Sequence, residues 1–233
     1  MNSPQDIAVQ TRANRYTVPH GTEEYEHLLE IKRSEFIGHI KRVSSQDEAR
    51  DYIESLRKTY HDARHVCSAF VVGADRDVQR SSDDGEPAGT AGIPMLQALL
   101  ARQSRPDGTT DLSDTVAVVV RYFGGIKLGT GGLIRAYGTA AVAALDNAII
   151  EDYIDCRILY LQTDYSFLSA TERLLPDFEA VITKRDFADF VGLTVEVPED
   201  KADEYLLALR DKTNGTLTVR EKDKKIVPHI RPE

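Results

Sequence analysis

The chain has 233 residues, of which 41% are hydrophobic and 29% charged, with a net charge of −9, two cysteines and no tryptophan. That length holds one or two domains, and the composition is that of a globular protein rather than a low-complexity or disordered one. The acidic balance argues against a general polyanion binder, leaves room for a local basic face, and the widely spaced Cys67 and Cys156 read as reduced thiols with no metal-ligand spacing.

Residues 1–21 are polar, contain Pro4 and Pro19, and read as a loose leader. They lack a signal-like apolar core, and no later run approaches a membrane span, so a cytoplasmic protein with no membrane partner is expected. Glu24–Lys32 and Ser34–Val43 read as two strands joined at Arg33-Ser34. Ser45-Gln46-Asp47-Glu48 has the form of a capping box ahead of a helix carrying Ala49, Ile53, Leu56 and Tyr60. Val66–Val72 is a short apolar strand. Ser81–Thr90 (SSDDGEPAGT) has loop chemistry throughout. A helix follows near Ile93–Gln103, with Pro94 in its first turn, and then a polar loop from Ser104 to Asp114.

Val116–Val120 is a β-branched run and predicts a buried strand. Gly124-Gly125 break it, Gly129-Thr130-Gly131-Gly132 form a second flexible turn, and Leu133, Tyr137, Ala140, Ala141, Ala144 and Ala148 share one helical face. The first N–H groups of such a helix lack intrahelical partners, and glycine lets an anion approach them closely. Arg121, Lys127 and Arg135 accompany this loop, with no acidic residue from Arg121 to Leu145. An anion or phosphate site is one reading; tight turns and close helix–sheet packing are the other.

After Glu151 the order changes. Arg157–Asp164 alternates as a strand, Ser166 opens a short helix ended by Pro176, and Phe178–Phe187 and Val191–Val197 are strands. Lys201–Lys212 is a helix, and Thr216–Val219 a final strand before a charged, frayed tail. This β-α-β-β-α-β order is ferredoxin-like. The expected division is therefore 1–21 leader, 22–152 N-terminal domain, 153–221 ferredoxin-like domain and 222–233 tail.

Four loops converge if they share one sheet edge: Asp62–His65, Ser82–Thr90, Arg121–Gly125 and Lys127–Gly132. Asp83, Asp84 and Glu86 fit either a Mg²⁺ or Zn²⁺ site with His61 or His65, or the commoner roles of capping helix N-termini and pairing with Arg64 and Arg121. No HExxH or CxxC motif supports the metal, and no G-x-S-x-G elbow supports acyl transfer. Tyr122, Phe123 and Tyr137 are candidate stacking aromatics beside Arg121, Lys127 and Arg135; the other reading has Phe123 and Tyr137 in the core and only Tyr122 exposed, which helical spacing favours for Tyr137 in particular.

The segments KRSEFIGHI, DARHVCSAFV, SSDDGEPAGTAGIPML and VVVRYFGGIKLGTGGLIRAYG resemble, in order and spacing, the motifs of the IMPACT family in its bacterial YigZ-type form. The match spans about Ile31–Ala144, and Arg157–Val219 resembles the smaller C-terminal domain of bacterial members. The resemblance implies an α+β fold: an N-terminal domain of the ribosomal-protein type, as in domain IV of elongation factor G, followed by a ferredoxin-like domain. It also implies an association with translational control, and it names no reaction.

Two functions are carried forward. The first is a non-enzymatic or weakly enzymatic, translation-associated protein that binds RNA or the ribosome. Arg121, Lys127 and Arg135 would contact phosphates, the backbone of Gly129, Thr130, Gly131 and Gly132 would hold one phosphate, and Tyr122 would stack on a base. Arg64 and His65 would line that face, and Asp83, Asp84 and Glu86 would order its loops. The second is an enzyme or binder acting on a small phosphorylated ligand or nucleotide, with its phosphate on Gly129–Gly132 and Asp83 or Glu86 either holding Mg²⁺ or acting as base. A protein-interaction role for the C-terminal sheet is a third possibility, and no resident cofactor is read from the sequence.

Overall fold

The computed structural model of the chain describes residues 15–229. These divide into two compact units, one ending at Asp152 and one beginning at Tyr153. Among the described residues no helix is long and apolar enough to cross a membrane.

The first unit is built on a five-stranded sheet. Its strands are β2 (Glu24–Ile31), β3 (Ser34–Arg42), β4 (His65–Val72), β5 (Val78–Ser82) and β6 (Thr115–Tyr122), in the order β2-β3-β6-β4-β5. β6 lies at the centre, antiparallel to both β3 and β4. Its apolar residues are buried on both faces, as a continuous Val/Ala run requires. Val116, Val118 and Val120 pack under α1 (Gln46–Thr59). Ala117 and Val119 pack under α2 (Gly92–Leu100) and α3 (Thr130–Asp146). Gly38 of β3 permits the close approach of α3, because a Cβ there would meet the Ala140 carbonyl oxygen at 2.6 Å.

Local chemistry differs from the sequence reading at several points. The hairpin turns at Lys32-Arg33, one residue earlier than expected, since Ile31 pairs with Ser34. Both turn residues have positive φ, the conformation a two-residue hairpin of this hand demands. Ser45 caps α1 as expected, but Glu48 reaches back to the N–H of Ser44 rather than that of Ser45. Ser81 and Ser82 are not loop but the end of β5, an edge strand whose exposed, polar side chains hid it from a hydrophobic pattern.

The leader reading is corrected in part. β1 (Arg15–Pro19) is a strand, with Tyr16 and Val18 buried and the Thr17 N–H donating to the Asp111 carbonyl at 3.2 Å, while residues 1–14 lie outside the described part; β7 (Ile150–Thr163) begins at the end of the first unit.

The second unit has the order β7, α4 (Tyr165–Leu174), β8 (Val181–Phe187), β9 (Val191–Pro198), α5 (Ala202–Lys212) and β10 (Thr218–His229). β9 pairs with β7 and β8, and β10 pairs with β7. Leu159, Leu161, Leu193, Val195 and Val197 form the core with Leu174 of α4 and Tyr205 and Leu209 of α5. This is the ferredoxin-like arrangement. Phe178 belongs to a single 3-10 turn, Pro176–Phe178, rather than to β8. The expected frayed tail is also corrected: β10 runs through its charges to His229. Lys224 and Lys225 pair with Glu199 and Glu196 of the same unit at 2.9 and 2.6 Å. Such charges suit a strand with a single neighbour, where they discourage further pairing.

Candidate functional site

The site assembles at the end of β6. Side chains alternate along a strand, so Arg121 follows Ala117 and Val119 to the α2/α3 face while Tyr122 goes to the α1 face. His65 is the direct cross-strand neighbour of Arg121 on β4, and Phe36 is its neighbour on β3. The guanidinium lies 5.3 Å from the Phe36 ring centre and 5.6 Å from that of Phe123. Gly124 then turns the chain against the β2–β3 hairpin and donates its N–H to Ser34 Oγ at 3.1 Å. A Cβ at Gly124 would run into the carbonyl of Arg33.

The loop after β5 supplies the acid. Asp83 accepts N–H bonds from Gly89, Ala91 and Gly92 at 2.7–2.9 Å, and so caps α2 from a distance. Burial opposes its charge, but these three donors prevail and hold its carboxyl below the usual carboxylate range. Asp84 accepts from the Val66 N–H at 2.7 Å and from Arg57 at 2.9 Å. Its carbonyl receives His65 Nδ1 at 2.8 Å. That bond makes Nδ1 the donor, so in the neutral ring the lone pair is on Nε2.

Glu86 is thereby turned inward, and its side chain is 4% exposed. One oxygen, Oε1, accepts from Arg121 Nη1 at 2.5 Å and from the Tyr137 hydroxyl at 2.8 Å, and stands 3.9 Å from His65 Nε2. Burial, and then the neighbouring Cys67 and Glu86, push the Tyr137 phenol far above its ordinary range, so it stays a neutral donor. Cys67 beneath it is buried, donates to the Asp83 carbonyl at 3.0 Å, and has its thiol pushed up to about 12 by desolvation.

A cavity of about 410 Å³ opens over this network, walled by Arg64, His65, Glu86, Arg121, Phe123, Lys127 and the start of α3 at Gly129-Thr130. Gly129 takes φ +71°, no side chain caps α3, and no acidic residue occupies its first turn. Leu133 N–H is the first to find an intrahelical carbonyl, that of Gly129. The N–H groups of Thr130, Gly131 and Gly132 therefore carry the unpaired positive end of the helix.

The structure thus brings Arg64, His65, Glu86, Arg121, Lys127, Gly129 and Thr130 to one cavity. It does not bring in Tyr122, whose hydroxyl is bonded to Asp62 at 2.7 Å. Arg135 and Gly132 line a separate cavity of about 170 Å³ with Lys32, and Gly131 lines neither cavity. Asp83 and Asp84 stand behind the cavity wall as loop organisers. Arg121 is not a free phosphate ligand, because Glu86 already neutralises it. Of the three candidate aromatics, the cavity wall takes Phe123, which is 54% exposed rather than core, while Tyr137 is core and turns its hydroxyl to Glu86, a role the sequence did not suggest. The strand alternation through Val120 was the available signal separating Arg121 from Tyr122. Among the described residues no group of three or more His, Cys, Asp or Glu side chains is placed to hold a metal ion.

The Impact N-terminal domain model matches residues 32–145, which include every residue lining the cavity. A domain of unknown function (DUF1949) matches residues 161–216. The chain is 37% identical over 213 residues to the IMPACT family member YvyE of Bacillus subtilis, covering 90% of this chain and 94% of that protein. The chain belongs to the IMPACT family. It is also 40% identical over 190 residues to the IMPACT family member YigZ of Escherichia coli, covering 81% of this chain and 89% of that one. A solved structure described as that of a hypothetical protein superposes with a TM-score of 0.57 at 36% identity, covering 90% of this chain and 98% of that one. The α+β, two-domain fold implied by the sequence motifs is therefore that of this IMPACT chain.

Proposed function

We propose that this IMPACT-family protein binds a small phosphate-bearing ligand, with the phosphate at the N-terminus of α3 and the rest of the ligand in the cavity. The observation that carries this reading is the uncapped, acid-free first turn of α3 opening on a concave wall that includes Lys127. Unpaired N–H groups and the helix dipole favour an anion there. The cavity volume lies in the range of small-ligand sites, and its wall mixes apolar side chains with a few converging polar groups.

A second reading, RNA or ribosome binding in translational control, is favoured by a different observation. Arg64, Lys127 and Arg135 are exposed and form no ion pair among the described residues. This reading is weaker than the sequence alone made it, because two of its proposed contacts, Arg121 and Tyr122, are engaged internally.

Calorimetric titration of inorganic phosphate and a panel of 5′-nucleotides, with and without Mg²⁺, tests the first reading. Saturable binding weakened in Lys127→Ala supports it. Absence of phosphate and nucleotide binding, together with salt-sensitive co-sedimentation with ribosomes that is lost in Lys127→Ala, would replace it with the second.

A further inference from the structure

The floor of the cavity holds polar atoms that the fold leaves unused. Glu86 is 96% enclosed, yet both of its protein donors use Oε1, and Oε2 receives none among the described residues. Arg121, whose side chain is 8% exposed, gives only Nη1 to Glu86; its Nε is buried without a partner, and Nη2 makes no hydrogen bond among the described residues. His65 commits Nδ1 to the Asp84 carbonyl, which leaves Nε2 facing the same wall. A carboxylate oxygen, a guanidinium N–H and an imidazole nitrogen, on three residues that line one cavity, are therefore left without a protein hydrogen bond among the described residues. The Arg121 Nε is the one of these residues' atoms that is buried and unsatisfied, which is costly, and the accessible oxygen and nitrogens around it mark the chemistry of what enters.

That chemistry is not a second phosphate, which a carboxylate would repel. It is a hydroxyl pair: one hydroxyl donates to Glu86 Oε2, and its neighbour accepts from Arg121 Nη2 while donating to His65 Nε2. A carboxylate accepting from a ribose hydroxyl is a recurring solution in nucleotide sites. At the mouth of the cavity, Phe123 presents an exposed ring against the Arg121 guanidinium, a surface on which a flat ring can lie.

We infer that the ligand of this site is a ribose 5′-phosphate unit with a free 2′,3′-diol, its phosphate at the start of α3 and its diol on Glu86, Arg121 and His65. The inference rests on the phosphate-binding reading above and narrows it. A free ribonucleotide and the 3′-terminal nucleotide of an RNA chain both present this unit.

The test compares affinities on the unaltered protein. The probes are inorganic phosphate, ribose 5-phosphate against 2-deoxyribose 5-phosphate, AMP against dAMP, and a short RNA ending in a free diol against the same RNA with a 3′-phosphate. The ribose forms are expected to bind roughly 10–100-fold tighter than the deoxy forms, the value of a hydrogen bond to a charged group. Glu86→Gln should shrink that ratio while phosphate itself still binds. Equal affinity for the ribose and deoxyribose forms, with phosphate still binding, would overturn this inference and leave the phosphate reading standing. No binding of any probe, phosphate included, would overturn both. Tighter binding of the diol-ended RNA than of AMP would support the inference with an RNA terminus as the source; the reverse order would support it with a free nucleotide. Because the ligand pairs alone decide the outcome, the test survives a Glu86 variant that fails to fold.

Discussion

Truncating Glu86 to alanine separates a buried ion pair from a surface one. The two side chains are 4% and 8% exposed, so the charge that remains when its partner is lost stays largely desolvated at the floor of the cavity. An exposed pair would contribute only about 0–1 kcal/mol. Removing one partner of a buried pair costs about 3–5 kcal/mol, because the remaining charge stays desolvated. The Tyr137 hydroxyl is fully buried and loses its acceptor in the same step, but it shares the oxygen Oε1, so the two losses do not simply add. We predict that Glu86→Ala destabilises the first unit by about 4 kcal/mol. For a protein of this size that lowers the melting temperature by roughly 8–16 °C. The double variant Glu86→Leu/Arg121→Met removes both charges and should recover most of the loss. Urea and thermal unfolding followed by circular dichroism measure both effects. A loss under about 1 kcal/mol for Glu86→Ala, or a double variant as unstable as the single one, would refute the reasoning.

Asp83→Ala should cost about 1–3 kcal/mol, since three backbone N–H groups around the start of α2 lose their acceptor. The folded pKa of Asp83 is depressed, so its contribution is present above the unfolded value near pH 4 and fades as pH falls through the folded one; unfolding curves of parent and variant should converge in that acidic window. Lys127→Ala should leave the melting temperature of the free protein within a degree or two while weakening phosphate binding about tenfold or more by calorimetry, since Lys127 is exposed and makes no ion pair among the described residues. A Gly124→Ala variant should be destabilised by more than about 1 kcal/mol in chemical denaturation, because its Cβ meets rigid backbone at Arg33 rather than a side chain that can move. Cys67 should resist thiol reagents at pH 8 in the native protein and react fully once unfolded, as its thiol is buried and pushed up to about 12.

Much of the fold is written locally. The β-branched run at Val116–Val120, the cap at Ser45 and the helical stripe from Leu133 each identify their element without tertiary information. The elements that escaped are those whose pairing is decided elsewhere in the chain. β1 and β5 are short, and β10 is a charge run held as a strand by β7. The site was legible by position more than by role. The Gly-rich turn does start a helix on a cavity, and Arg64, His65, Glu86 and Lys127 do line it. The sequence offered Arg121 as a partner for the acidic loop, against a metal, without saying which carboxylate would take it; Glu86 does, from 35 positions away, and cancels the charge proposed for a phosphate. It offered helix capping for these carboxylates without saying which would cap: Asp83 does so at α2, while Asp84 accepts from the Val66 N–H and Arg57. Both outcomes depend on the turn at Asp84-Gly85, where φ is positive at both residues, and no periodic pattern predicts that turn. Tyr122 and Phe123 were exchanged because β6 ends between them, and strand alternation stops with it.

The central claim is that an anion binds the open first turn of α3. Amide chemical shifts of the ¹⁵N-labelled protein, followed while inorganic phosphate and then AMP are added, test it most directly. Saturable shifts are expected at Thr130, Gly131 and Gly132, joined by His65 and Phe123 only when the nucleoside is present. Shifts confined to exposed lysines and arginines elsewhere, or no shift at Thr130–Gly132 at saturating ligand, would contradict it.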